Sequence, residues 1–170
     1  MRFTTPLSAI TLMVASVKAA ENPIIGLVDR ITSISQDFDN VLEDPNPVRI
    51  IETLPHLAYD GANLVATIVS DVTGWKNPLD NDDQLKTCAT LKKFATTEEK
   101  LLTAILNDVV KVATLPLPIG GLIGLVASAL KEAVDGIFGF SVKIAPVCSD
   151  AANKDKAALT DLIANIKTAI

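Results

Sequence analysis

The chain has 170 residues, a formal net charge of −5 and 49% hydrophobic residues, of which only the aromatic 4% are Phe, Trp or Tyr. The acidic balance excludes the basic face that nucleic acid requires, and it argues against electrostatic capture by anionic lipid. The length suits one domain with an aliphatic core.

Arg2 followed by the uncharged run Leu7–Val17 and the small residues Ala19 and Ala20 reads as a secretory signal peptide over residues 1–20, cleaved before Ala20 or Glu21. The run is too short to span a bilayer, and the alternative is an N-terminal anchor. Residues 21–170 then form a single mature domain without a transmembrane segment. Loss of Arg2 and Lys18, with no acid removed, takes its charge from −5 to −7.

Asn22 and Pro23 open a first helix as N-cap and first-turn proline. Its stripe is Ile24, Leu27, Val28, Ile31, Ile34, Phe38, Val41 and Leu42. Asp44-Pro45-Asn46-Pro47 breaks it and caps the next. The second stripe runs Ile51, Leu54, Ala58, Gly61, Ala62, Val65, Ile68, Val69 and Val72, and Pro55 should kink it. Gly74 to Pro78 is a loop. Asp80 to Ala113 holds no Gly or Pro and is striped by Leu85, Cys88, Leu91, Ala95, Leu102, Ile105, Val109 and Val112. Thr96 and Glu99 have capping-box spacing, so this stretch is one long helix or two collinear ones. Leu115-Pro116-Leu117-Pro118 stops it. A fourth helix starts at Gly120 or Gly121 and runs toward Val134 or Phe138, its end made ragged by Gly136, Gly139 and Pro146. Ser149 or Asp150 opens the last, striped by Leu159, Leu162, Ile163, Ile166 and Ile170. Ser141–Val147 alternates weakly but is short. The fold class is all-α: an antiparallel bundle of about five amphipathic helices.

Catalytic chemistry is missing. The one histidine, His56, has no nucleophile elbow to serve, and the sequence holds no zinc, P-loop or dinucleotide motif. No cofactor, metal or catalytic residue is expected, and the protein reads as a non-enzyme. Asp80-Asn81-Asp82-Asp83 lacks the Gly and Glu of a calcium loop and suits a helix N-terminus. Gly120 and Gly124 fit close helix packing. Trp75 reads as a loop residue tucked against the bundle, or as an exposed surface anchor. Secretion and an even pair of cysteines suggest a Cys88–Cys148 disulfide, against two free thiols.

The most distinctive stretch is Val112–Leu130, VATLPLPIGGLIGLVASAL, which carries no charge. It must be buried or hold something apolar. Leu102, Ile105 and Val109 on the long helix, with Leu122, Leu125, Val126 and Leu130 on the next, are the expected ligand-region residues; plain core packing is the alternative.

Three segments carry a resemblance: IIGLVDRITSISQDFDNVL; the run from LPHLAYDGANLVATIVSDVTGW to TTEEKLLTAIL; and LPLPIGGLIGLVASALKEAVDGIFGF with APVCSDAANKDKAALTDLIANIKTAI. Together they resemble the fungal hydrophobic surface binding protein A and cell wall galactomannoprotein family, with Leu117–Gly121 the sharpest element. The resemblance implies a secreted, all-α, non-catalytic domain that adsorbs to hydrophobic surfaces. Some members hold fatty acids between helices, some bring a secreted esterase to a polyester, and some belong to the cell wall. Two functions follow as expectations: a binder of lipids or apolar surfaces, or a secreted wall component or host-interaction protein without a small ligand.

Overall fold

The structure is a computed structural model that describes residues 23–43, 46–75, 77–112 and 119–170. The expected signal segment 1–20, the expected N-cap Asn22, and the expected helix breaks at Asp44-Pro45 and Leu115–Pro118 lie outside the described residues. Among those described there are five α-helices, one 3₁₀ turn and no strand: α1 (Pro23–Glu43), α2 (Pro47–Gly74), α3 (Asn81–Val112), α4 (Gly120–Ile144), the turn Pro146–Cys148, and α5 (Ser149–Thr168).

Every residue of the expected α1 stripe is buried. At the start of α2 the Asn46 side chain accepts from the Val48 N–H at 3.1 Å, with Pro47 in the first turn. The helix continues through Pro55, whose ring lies on the exposed side. The ladder bond that proline removes therefore falls where solvent can satisfy the freed carbonyl. α3 is a single helix of 32 residues, about 48 Å long at 1.5 Å per residue. The Asp80 carboxylate accepts from the Asp83 N–H at 2.9 Å, and Asp82 and Asp83 sit in the first turn against the positive helix end. The Thr96–Glu99 spacing marks no boundary. The Thr96 hydroxyl donates to the Lys92 carbonyl at 3.0 Å, within a continuous helix. Buried Leu91, Phe94 and Ala95 before that point and Leu102 and Ile105 after it share one stripe, so nothing favours a break.

α4 runs past its expected end to Ile144, with Gly136 and Gly139 inside it. A glycine costs a helix interior about 1 kcal/mol, and burial of Ile137, Phe138, Phe140 and Ile144 around the two glycines outweighs that.

α1 packs between α2 and α3, α4 joins α2 to α5, and α5 closes onto α3. The order around the bundle is thus α1, α2, α4, α5, α3, enclosing one core in which Phe38, Phe94, Phe138 and Phe140 are the aromatic members. Successive helices alternate in direction. However, α2 and α4 are parallel neighbours: Gly61 lies against Ala129 and Ile68 against Gly136. α1 and α3 are parallel likewise, since Ser35 meets Glu98 and Asp39 faces Asp108. The reason is that α3 does not fold back beside α2. The link between them crosses the end of the bundle, where the Leu79 N–H donates to the Ile144 carbonyl at 2.8 Å. Trp75 at that corner is half-buried, its ring edge-on to Phe140 at 6.2 Å. Cys88 and Cys148 form a disulfide with Cα atoms 5.4 Å apart, joining α3 to the start of α5.

Candidate functional site

α2 is apolar over far more of its circumference than the bundle covers. Ile50, Leu54, Leu57, Gly61, Leu64 and Ile68 point inward and are buried. Ala58, Val65 and Val72 follow around the helix and are half-buried. Beyond them come Val48, Ile51, Pro55, Tyr59, Ala62, Ala66 and Val69, all exposed. At 3.6 residues per turn this outer set lies within about 80° of arc and forms a straight stripe along the helix. The large members Val48, Ile51, Tyr59 and Val69 are 62%, 46%, 66% and 57% exposed. Arg49, Glu52, His56, Asp60 and Asp71 all lie on the remaining side of α2, so the whole sector from core to outer stripe is free of charge.

The stripe borders a groove between α2 and α4. Its walls are Ile68, Val69, Val72 and Thr73 on α2 and Asp135, Gly136, Gly139 and Phe140 on α4, and it encloses about 290 Å³. The groove exists because α2 and α4 approach so closely that a Cβ on Gly136 would stand 2.9 Å from Ile68 Cγ2, while Gly139 leaves the outer wall open. Its charged rim residue is neutralised: the Asp135 carboxylate accepts from Lys131 at 2.6 Å and is paired with Lys156 at 3.2 Å. Exposed Leu125 lies on the same side of α4, three turns before Gly136.

The expected ligand residues divide accordingly. Leu102, Ile105, Val109, Val126 and Leu130 are fully buried in the common core, and Leu122 is partly buried against it. Leu125 is 58% exposed. α3 and α4 are not neighbours in the ring and scarcely touch, and both groups contribute to the one core cluster. None of them lines the α2–α4 groove. Ile51, Ala62 and Val69, expected on an inward stripe, lie on the open side. The signal that marks them is the width of the charge-free sector of α2, about 220° at 100° per residue, where a stripe facing the core needs little more than 100°.

A second concavity, of about 360 Å³, lies between α1 and α3, lined by Ile25, Val28, Asp29, Thr32, Thr90, Lys93, Phe94 and Thr97. Beside it the Glu98 carboxylate is buried in the α1–α3 seam. Its Oε2 accepts from the Ser35 hydroxyl at 2.7 Å, and its Oε1 has no partner. Burial pushes the Glu98 carboxyl above the usual range, and Ser35 and Thr32 only partly offset this. Asp39 in the same seam is raised as well, by burial and by the nearby Glu43 and Asp108 charges.

His56 is exposed on the charged side of α2. No group of His, Cys, Asp and Glu among the described residues is arranged to hold a metal, and no helix among them is long and apolar enough to cross a membrane. No family model, curated protein or solved structure matches the chain.

Proposed function

We propose that this chain is a secreted, non-catalytic protein that binds apolar surfaces or lipids, with the open side of α2 as its contact face. The observation that carries this reading is the charge-free sector of α2, which extends well beyond what α1 and α4 cover. Scattered exposed hydrophobics are ordinary on soluble proteins; a contiguous stripe bordered by an apolar groove marks an interaction site. Its chemistry selects the partner. A face without charge on an acidic protein loses little when it leaves water for an uncharged apolar surface, and gains roughly 25 cal/mol for each Å² of apolar area covered. The resemblance to the hydrophobic surface binding protein A family agrees with this and extends it to delivery of a secreted esterase onto such a surface.

The test is adsorption to uncharged aliphatic polyester beads. Ile51→Lys together with Val69→Lys places two charges on the stripe, and both side chains are exposed, so the thermal midpoint should stay near that of the wild type. Adsorption should weaken at least about tenfold, or roughly 1.4 kcal/mol. Leu85→Lys, an equally exposed position on α3, should leave it unchanged. Wild-type adsorption by the double variant would sink the α2 assignment.

A further inference from the structure

An open apolar stripe on an acidic protein raises the question of what covers it before it meets a surface. The order of side chains along α2 answers in terms of size. Reversed about the midpoint between Ala58 and Tyr59, the stripe is complementary to itself. Val48 falls opposite Val69, Ile51 opposite Ala66 and Pro55 opposite Ala62, with Tyr59 beside the centre. Ile51 and Pro55 thus each meet an alanine, and Tyr59 lies beside its own copy. Such reversal is the condition for an isologous contact, in which residue i meets j and j meets i. Alternation of large and small side chains is what lets two helices interdigitate.

We propose that the open face of α2 is covered in solution by the same face of a second copy, the two α2 helices packing antiparallel about a twofold axis near Ala58 and Tyr59. This inference rests on α2 being the contact face for apolar matter, and it adds the state in which that face is held beforehand. No charge lies within the stripe, so nothing in the contact itself opposes pairing. The stripe from Val48 to Val69 is about 32 Å long and a helix side about 10 Å wide, a footprint of about 320 Å² on each copy, which is below standard-size interfaces and in the range of weak, transient contacts. The dimer is therefore reversible and concentration-dependent. An extended apolar surface, offering more area than one helix side, displaces the partner. Each copy carries a net negative charge, so salt screens their mutual repulsion and tightens the pair.

Sedimentation of the full chain should show a monomer–dimer equilibrium that shifts toward dimer with added salt, and Ile51→Lys should raise its dissociation constant at least tenfold. Geometry is read by cross-linking. Cys88 and Cys148 are paired, so an introduced cysteine is a free thiol among the described residues. Under mild oxidation a mixture of the Val48→Cys and Val69→Cys proteins should cross-link to each other. Val48→Cys alone should not, because the two copies of position 48 lie about 30 Å apart in the antiparallel pair. The Tyr59→Cys protein should cross-link to itself. A monomer at every concentration, whether its stripe is bare or shielded by another part of its own chain, overturns the proposal. So does a dimer that cross-links 48 to 48, or one that cross-links at none of these positions. Adsorption to beads is scored separately. Loss of the functional reading with the dimer intact, or adsorption by an obligate monomer, would show which of the two had failed.

Discussion

Glu98 is a residue whose ionisation opposes the fold. It is 1% exposed, accepts one hydrogen bond from Ser35, and leaves an oxygen unpartnered in the α1–α3 seam. Burial of a carboxylate favours the protonated form, so the folded protein holds this proton at a pH where the unfolded chain, titrating near 4.5, has released it. For an acid raised in this way, the stabilising contribution is complete below the unfolded value and disappears as pH rises through the folded one. Asp39 is raised too and adds in the same direction. Stability should therefore decline between mildly acid and neutral pH. Glu98→Gln keeps an acceptor for Ser35 without the charge. It should raise the thermal midpoint at pH 7.5 by about 2–4 °C, equivalent to about 1 kcal/mol for a domain of this size, and change it little at pH 4. Calorimetry at the two pH values decides. A variant less stable than wild type at pH 7.5 but not at pH 4 would mean that the charged form makes a favourable contact after all.

At the scale of elements, α2 and α4 owe their close approach to glycine. A Cβ at Gly61 would stand 2.7 Å from the Cβ of Ala129, a methyl fixed to its backbone that cannot rotate away. Gly61→Ala should therefore destabilise by about 1–3 kcal/mol through overpacking, although alanine is the better helix former by about 1 kcal/mol. Gly139→Ala meets nothing within 4 Å and should be neutral or mildly stabilising. Equal midpoints for the two variants would remove the close contact from the account. The same helix shows where sequence reading stops. In α1 the apolar stripe is narrow, and Ile24 to Leu42 went inward as their spacing required. In α2, Ile51 and Ile50 are equally apolar, and periodicity alone does not say which of them a neighbouring helix covers. That depends on α4 rather than α3 being the neighbour, a property of the order around the bundle that no local pattern encodes. α4 runs past its expected end for a related reason, since the penalty of Gly136 and Gly139 is local whereas the burial that outweighs it is tertiary. Glu98 stands on the α3 stripe between Ala95 and Leu102, so helical spacing points it inward, but only α1 in place shows that Ser35 and not solvent meets its carboxylate.

For the whole molecule, the disulfide sits where the ring of helices closes. α3 and α5 are far apart in the chain, and besides the apolar contacts of their seam an exposed Lys92–Asp155 pair at 3.2 Å joins them. Such a pair contributes well under 1 kcal/mol. The Cys88–Cys148 bond spans a sequence separation of 60, and in the loop-entropy model a closure of that size is worth about 4 kcal/mol. Replacing both cysteines by serine should lower the thermal midpoint by about 8–16 °C at 2–4 °C per kcal/mol. The loss should also be uneven. α5 is held by α3 and α4, and its first turns lie directly beside Cys148, so amide exchange should accelerate most over Ser149 to Leu159. α2 packs on α1 and α4, away from the α3–α5 seam, and its exchange should change less. The open stripe would then survive in the serine variant, which should still adsorb to apolar beads below its lowered midpoint. Exchange that quickens equally in α2 and α5 would show that the bundle opens as one unit rather than at this seam. An unchanged midpoint would show that the apolar contacts of the seam hold the ring closed by themselves.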